Sequence, residues 1–245
     1  MRGAFLADLT WLEAEQRFAH DPVIVLPIGA AAKEHGPHLR LDNDLRLADY
    51  WARRLVEELD VLVAPVLAYH FYPAFVEYPG STTLRLETAR DLTIDVVRSI
   101  ARHGPRRFYA LNTGVSTVRA LAPARDELAK EGITLAYTDV IALLGPIENE
   151  ISEQEGGTHA DEIETSMMLV IAPDRVDMTK AVKDYVAKGE GGLTRDPNGK
   201  GTYSATGTWG DPTLASRAKG ERIVEAFFRA LLDDVRELTE RRGSP

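Results

Sequence analysis

The chain has 245 residues, 44% hydrophobic, 27% charged and 7% aromatic, an ordinary globular composition that excludes a disordered or fibrous chain. Lys and Arg total 29 against 38 Asp and Glu, and the formal net charge of −9 excludes a platform for nucleic acid or anionic membrane. The absence of cysteine rules out disulfides, thiol nucleophiles and thiolate zinc sites.

In chain order, Thr10-Trp11-Leu12-Glu13 reads as a capping box that opens a short helix. The N-terminal stretch turns acidic too early for a secretory signal, and no apolar run reaches the roughly 20 residues of a membrane span. A soluble, cytoplasmic protein is expected. Val23 to Gly29 is a continuous apolar run, the pattern of a strand buried on both faces. Leu47, Trp51, Leu55 and Leu59 recur every fourth residue, predicting a helix over 45–59. Val61 to Val66 reads as a second buried strand, and 67–81 as a loop rich in aromatics, Pro and Gly.

Leu92, Val96 and Ile100 mark a further helix, which His103-Gly104-Pro105 ends. Phe108 to Leu111 is a strand, 116–130 a helix and Ile133 to Tyr137 another strand. Such alternation predicts an α/β fold: a mostly parallel sheet covered on both faces. Gly189 to Pro212 holds seven Gly and two Pro and reads as a long functional or mobile loop. Val224, Phe227, Leu231, Val235 and Leu238 predict a closing amphipathic helix. No repeat or composition shift divides the chain, so residues 1–245 are expected to form one domain.

Open parallel sheets bind ligands beyond the carboxyl ends of their strands. The loop after the first buried strand, GAAAKEHGPHLRLDND, packs Glu34, His35, His38, Asp42 and Asp44 into eleven residues. Imidazole and carboxylate suit Zn, Mn or Fe, and Gly36-Pro37 makes a turn that can aim both rings inward. A solvated polar loop is the plain alternative. The second cluster runs from His159 through Asp161, Glu162 and Glu164 to Ser166. On a helix it would place His159, Glu162 and Ile163 on one side. The helix dipole alone accounts for Asp161 and Glu162, but not for His159 and Glu164.

Together these motifs resemble the creatininase family. Pro27-Ile28-Gly29, then Glu34-His35-Gly36-Pro37-His38-Leu39, then Asp44 look like its first signature. His159-Ala160 with Glu164-Thr165-Ser166 resembles its second, and Tyr78-Pro79-Gly80-Ser81 and Gly210-Asp211-Pro212 resemble two of its turns. The four occur in the family's order over residues 9 to about 220. The resemblance implies a three-layer α/β/α amidohydrolase, commonly a hexamer, that uses one or two divalent metals to open small amides, lactams or formamides.

This chain departs from the pattern at telling places. Lys33 stands where the family has its first Glu, Glu34 is adjacent to His35, and the stretch from Gly29 to His35 is one residue longer. Gly114 replaces a liganding His, Ser116 stands where creatininase has Glu, and Phe75 replaces the His before the Pro-Gly turn. The resemblance then implies a single metal on His35, Asp44 and Glu164; a one-residue bulge could bring Glu34 back to it, or Lys33 could occupy that place. The competing reading has no metal, Lys33 supplying the cation's charge. His159 is expected to protonate the departing nitrogen, and Glu164 to be the third ligand or the base. Gly114 and Ser116 could hold a carboxylate or oxyanion through their N–H groups, unless Ser116 merely caps a helix. Tyr78 and Trp209 are candidate substrate contacts, Trp209 as a lid.

The first function expected is metal-dependent hydrolysis of a small non-peptide C–N bond. The others are a non-catalytic relative that binds a small molecule, and metal-free chemistry by Lys33 with Glu34. Partners expected are a small-molecule substrate and further copies of the chain.

Overall fold

The computed structural model describes residues 2–240, so the two ends of the expected 1–245 domain lie outside the described residues. Five strands pair in the order β1-β3-β2-β4-β5, all parallel: β1 (Ala4–Phe5), β2 (Val23–Ile28), β3 (Leu62–Val63), β4 (Arg107–Asn112) and β5 (Thr134–Tyr137). Strand β2 is buried along its whole length and pairs with β4 from Val23↔Arg107 to Ile28↔Asn112. Period-two alternation sends its side chains to opposite layers. Val23 and Val25 join Tyr109 and Leu111 under α2 (Asn43–Glu58), α6 (Glu162–Ile171) and α7 (Arg217–Glu240). Ile24, Leu26 and Ile28 join Phe108 and Ala110 under α3 (Leu86–Ala101) and α4 (Val118–Ala129). This is the expected three-layer α/β/α arrangement.

The helices follow local rules. α1 (Trp11–Phe18) opens on the expected capping box, Thr10 and Glu13 each satisfying the other's backbone N–H. The fully buried Trp51 of α2 packs on Phe227 of α7, with ring centroids 4.9 Å apart. Among the described residues no helix is long and apolar enough to cross a membrane.

Four expectations change. β3 covers two residues rather than Val61 to Val66. Pro65 has no N–H to donate, nor has Pro27 on the β2 edge whose carbonyl accepts from Leu67 N at 2.8 Å, so the ladder breaks there. In α3 the buried stripe is Ala89, Thr93, Val97 and Ala101 with Ile94, one position round from Leu92, Val96 and Ile100. α5 (Val140–Ile151) was not among the predicted elements and carries Gly145-Pro146 inside it; Asp139 caps it by accepting from Ile141 N and Ala142 N. The Gly-rich segment carries a two-stranded parallel ribbon, β6 (Leu193–Thr194) with β7 (Thr202–Tyr203).

The strand after β2 lies on one side of it, and those after β3 and β4 lie on the other. The sheet therefore changes direction between β2 and β4, and the crevice where parallel sheets bind ligands opens beyond their carboxyl ends.

Candidate active site

Backbone geometry delivers Lys33 to Asp44 into that crevice. A Cβ on Gly29 would lie 2.3 Å from the Asp44 carbonyl oxygen, so only glycine lets β2 end against the first turn of α2. The following loop is pinned by Lys33 N to Leu41 C=O (3.0 Å), Leu45 N to Ala30 C=O (3.2 Å) and Thr82 N to Ala32 C=O (2.9 Å). Ser81, in the Tyr78-Pro-Gly-Ser turn, accepts from Glu34 N at 2.9 Å. Thus the Pro-Gly turn serves as a clamp on the first motif.

Lys33 and Glu34 both turn inward, so the sequence ambiguity between them resolves as neither being displaced. Lys33 Nζ lies 2.7 Å from Asp44 Oδ2, and both side chains are almost wholly buried. Glu34 Oε1 lies 2.6 Å from His159 Nε2, and Glu34 Oε2 accepts from Gly36 N at 2.9 Å. Burial pushes the Asp44 carboxyl up, but Lys33 and then His35 hold it well below the usual carboxylate range. Glu34 is likewise lowered against its burial, by His159.

The histidine tautomers follow from their partners. His35 Nδ1 faces the Lys33 carbonyl at 2.9 Å, and a carbonyl only accepts, so Nδ1 carries the proton. Nε2 then faces Asp44 Oδ1 at 2.9 Å and Glu164 Oε1 at 3.4 Å. A neutral imidazole would set its lone pair against two carboxylates there. Either a proton or a metal ion must lie between them. Consistently, burial and Lys33 lower the His35 pKa, yet Asp44 and Glu164 outweigh them and raise it. For His159, Nε2 donates to Glu34, leaving the Nδ1 lone pair 3.9 Å from Glu164 Oε2.

His159 does not share the helix with Glu162 and Ile163, as the spacing had suggested. α6 starts at Glu162, with Asp161 as N-cap accepting from Glu164 N. Ala160 bends the chain before it at φ +48°, a strained setting for a residue with a Cβ. His159 is then held by an antiparallel bridge to Trp209. Glu162 is fully buried and structural, bonded to Ser152 and to the N–H groups of Glu153 and Gln154. Glu164 accepts from Asn43 Nδ2 and Ala160 N, both at 2.8 Å.

One donor atom each from His35, His159 and Glu164 lies within 4.8 Å of the others, the group among the described residues suited to a metal ion. Two imidazole nitrogens and a carboxylate oxygen, with the other ring nitrogens fixed by a carbonyl and a carboxylate, fit a zinc- or manganese-type ion. This group shares His35 and Glu164 with the expected Glu34, His35, Asp44 and Glu164, and adds His159. Asp44 borders the group, with Oδ1 2.9 Å from His35 Nε2 and Oδ2 on Lys33, and Glu34 orients His159 from behind.

A cavity of about 420 Å³ opens on this cluster, and Lys33, Gly114, Ser116, His159, Glu164 and Trp209 line it. Its deeper wall is apolar, built from Leu47, Trp51, Leu144, Met167 and Phe227. Tyr78 is not among the lining residues; its hydroxyl donates to the Ser204 carbonyl at 2.8 Å. The Gly114 N–H is committed to Asn112 Oδ1 at 3.0 Å, so it offers no oxyanion contact. Ser116 donates to the Phe71 carbonyl and does not cap α4, whose N-cap is Thr117. Trp209 Nε1 donates to the Val186 carbonyl at 3.0 Å, fixing the indole as wall. His38 Nε2 bonds Thr165 Oγ1 at 2.8 Å, and burial lowers its pKa to about 4.

Sequence reasoning missed Asn43, the donor to Glu164, and Gly207. A Cβ on Gly207 (φ +85°) would lie 1.9 Å from Glu34 Oε2, so this glycine lets the Gly-rich segment close over Glu34. It also left Tyr72 undistinguished among loop aromatics. Tyr72 lines the cavity, its buried hydroxyl has no hydrogen-bond partner among the described residues, and burial and Asp44 raise its pKa.

Residues 7–235 match the family model described as creatininase, creatinine amidohydrolase. The creatinine amidohydrolase of Pseudomonas putida is 31% identical over 96% of this chain and 97% of its own. A mycofactocin precursor peptide peptidase of Mycolicibacterium smegmatis is 29% identical over 95% of this chain and 92% of its own. A solved structure described as "Creatininase Mn" superposes with TM-score 0.83 at 29% identity, covering 97% of this chain and 99% of that one. With the family model matched over residues 7–235 and the fold superposing along nearly the whole chain, the chain belongs to the creatininase family of hydrolases.

Proposed function

We propose that this chain is a hydrolase of a compact amide-type C–N bond, dependent on one divalent metal ion, Zn, Mn or Fe, held by His35, His159 and Glu164. The observation that carries this reading is the commitment of His35 Nδ1 and His159 Nε2 to acceptors, which leaves two lone pairs converging with Glu164. A divalent ion bound there supplies Lewis acidity and a water acidic enough to ionise near neutral pH. Glu34 fixes the His159 ring, Asn43 fixes the Glu164 carboxylate, and the Tyr72 hydroxyl is placed to donate a hydrogen bond to a substrate oxygen. The Lys33 amine, ion-paired and buried against Asp44, is a charge and not a nucleophile, which argues against Schiff-base chemistry.

The substrate class we favour is a small cyclic amide or formamide, a non-peptide bond, with an apolar substituent for the Trp51–Met167–Phe227 wall. A second reading, the end of a short peptide, is supported by likeness to the precursor peptide peptidase. We also infer that residues 1–245 act as one domain in the cytoplasm and that copies assemble, a hexamer being the family-based expectation. Assembly would cover Ile141 and Val115, which are 60% and 53% exposed at the cavity.

The test is metal analysis of protein purified without chelator, followed by a panel of lactams, formamides and dipeptides. About one equivalent of metal, with turnover lost on chelation and regained on reloading, is the expected result. Neither metal nor turnover would identify a non-catalytic relative that binds a small molecule.

A further inference from the structure

We propose that the ammonium group of Lys33 occupies the place of a second cation, so that this chain admits a metal only on the His159–Glu164 side of the cluster. The inference rests on the metal-site reading above and concerns its other half. Three carboxylates meet here, Glu34, Asp44 and Glu164, and like charges so close need compensating positive charge. Lys33 Nζ stands 2.7 Å from Asp44 Oδ2, and the side chain is buried, so the ammonium is a fixed component of the site. Two aromatic faces flank it. Nζ lies 4.6 Å from the Phe75 ring centroid and 5.8 Å from that of Tyr72. Such faces attract an ammonium group but offer no ligand atom to a divalent ion.

The Phe75 ring also packs against His159, with centroids 4.2 Å apart, so an apolar ring separates the Lys33 ammonium from that imidazole. Asp44 therefore has two oxygens with distinct duties. Oδ2 meets Lys33 and Oδ1 meets His35 Nε2. With one oxygen on an ammonium and the other on an imidazole, Asp44 has none left over for a further cation on the Lys33 side. Lysine supplies one positive charge without a coordination shell, so it neutralises Asp44 but activates no water.

The decisive experiment compares metal stoichiometry in wild-type protein and a Lys33→Glu/Phe75→His variant, each equilibrated with excess Zn²⁺ or Mn²⁺ and desalted. The variant removes the ammonium and supplies a carboxylate and an imidazole beside Asp44. One equivalent more than wild type is expected. Equal stoichiometry in the two proteins overturns the proposal. Wild-type protein with no metal and a variant with one would uphold the Lys33 assignment while sinking the proposed function. Two equivalents in wild type would sink the Lys33 assignment and the single-ion stoichiometry with it, while leaving metal-dependent hydrolysis standing. Should the double variant misfold, Lys33→Glu alone gives a second reading through thermal melting. Its two facing carboxylates should make Tm rise with added Mn²⁺ by more than the wild-type rise, and an equal or smaller rise overturns the proposal.

Discussion

The two halves of the cluster hold similar side chains in opposite electrical states. On one side Lys33 and Asp44 neutralise each other in a buried pair, walled by Phe75 and Tyr72. On the other, His35, His159 and Glu164 present donor atoms to one another across a gap of at most 4.8 Å. The difference is one of partners rather than composition, since each half contains a carboxylate. Asp44 meets an amine from its own loop, whereas Glu164 meets an amide and a backbone N–H, which orient it without cancelling its charge. A closed ion pair has its charge satisfied, whereas an open donor set has the atoms a metal ion requires.

The sharpest break between the halves should come from Asp44→Ala and His35→Ala. Asp44→Ala leaves the Lys33 ammonium buried and unpaired, and should cost about 3–5 kcal/mol of stability by denaturant unfolding. His35→Ala should abolish metal uptake at a smaller cost in stability. Equal stability losses in the two variants would erase the distinction between the halves.

Acid should next separate the neutral histidines from the site. His70, bonded to Thr93 outside the cluster, and His38 behind the open half both have pKa lowered to about 4 by burial. Their unfolded forms take up protons near pH 6.5, before the folded forms do, so stability is full above that pH and falls as pH drops toward 4. Each histidine contributes up to about 3 kcal/mol to that loss. A His70→Gln variant should show a shallower decline in Tm between pH 6.5 and 4 while its metal content stays at the wild-type level.

Smaller effects refine the open half. Glu34→Gln keeps the contact to His159 but removes the charge, and metal affinity should fall about 10–100-fold in a chelator competition assay. Tyr72→Phe deletes a buried hydroxyl that lacks a partner, so Tm should stay level or rise slightly, by the equivalent of about 1 kcal/mol at most. Turnover should nonetheless drop if that hydroxyl meets the substrate. A Tyr72→Phe protein with unchanged kcat and KM would remove it from the site.

Much of the fold was legible in the residues because its signals are local. The Val23–Ile28 run, the four-residue spacing of Leu47, Trp51 and Leu55, and the Thr10–Glu13 capping box each act within a few residues of themselves. Their pattern alone determined a parallel sheet between helices, and the loop after β2 as the seat of the chemistry. The α5 helix and the early end of β3 were not legible. Local breakers mark both, Gly145-Pro146 and Pro65, and packing decided which of them the chain obeys. Residue type likewise picked out His35, His159, Glu164 and Lys33, but not their duties. His159 meets Glu34 across 125 positions of sequence, and Asn43 meets Glu164 across 121. Which ring nitrogen keeps its lone pair, and which carboxylate is cancelled by an amine, depends on partners brought together only when β2, α2 and α6 pack. Hydrogen bonds and charges act over a few ångströms in space, with no regard to distance along the chain, and so tertiary structure alone could divide this cluster into a closed half and an open one.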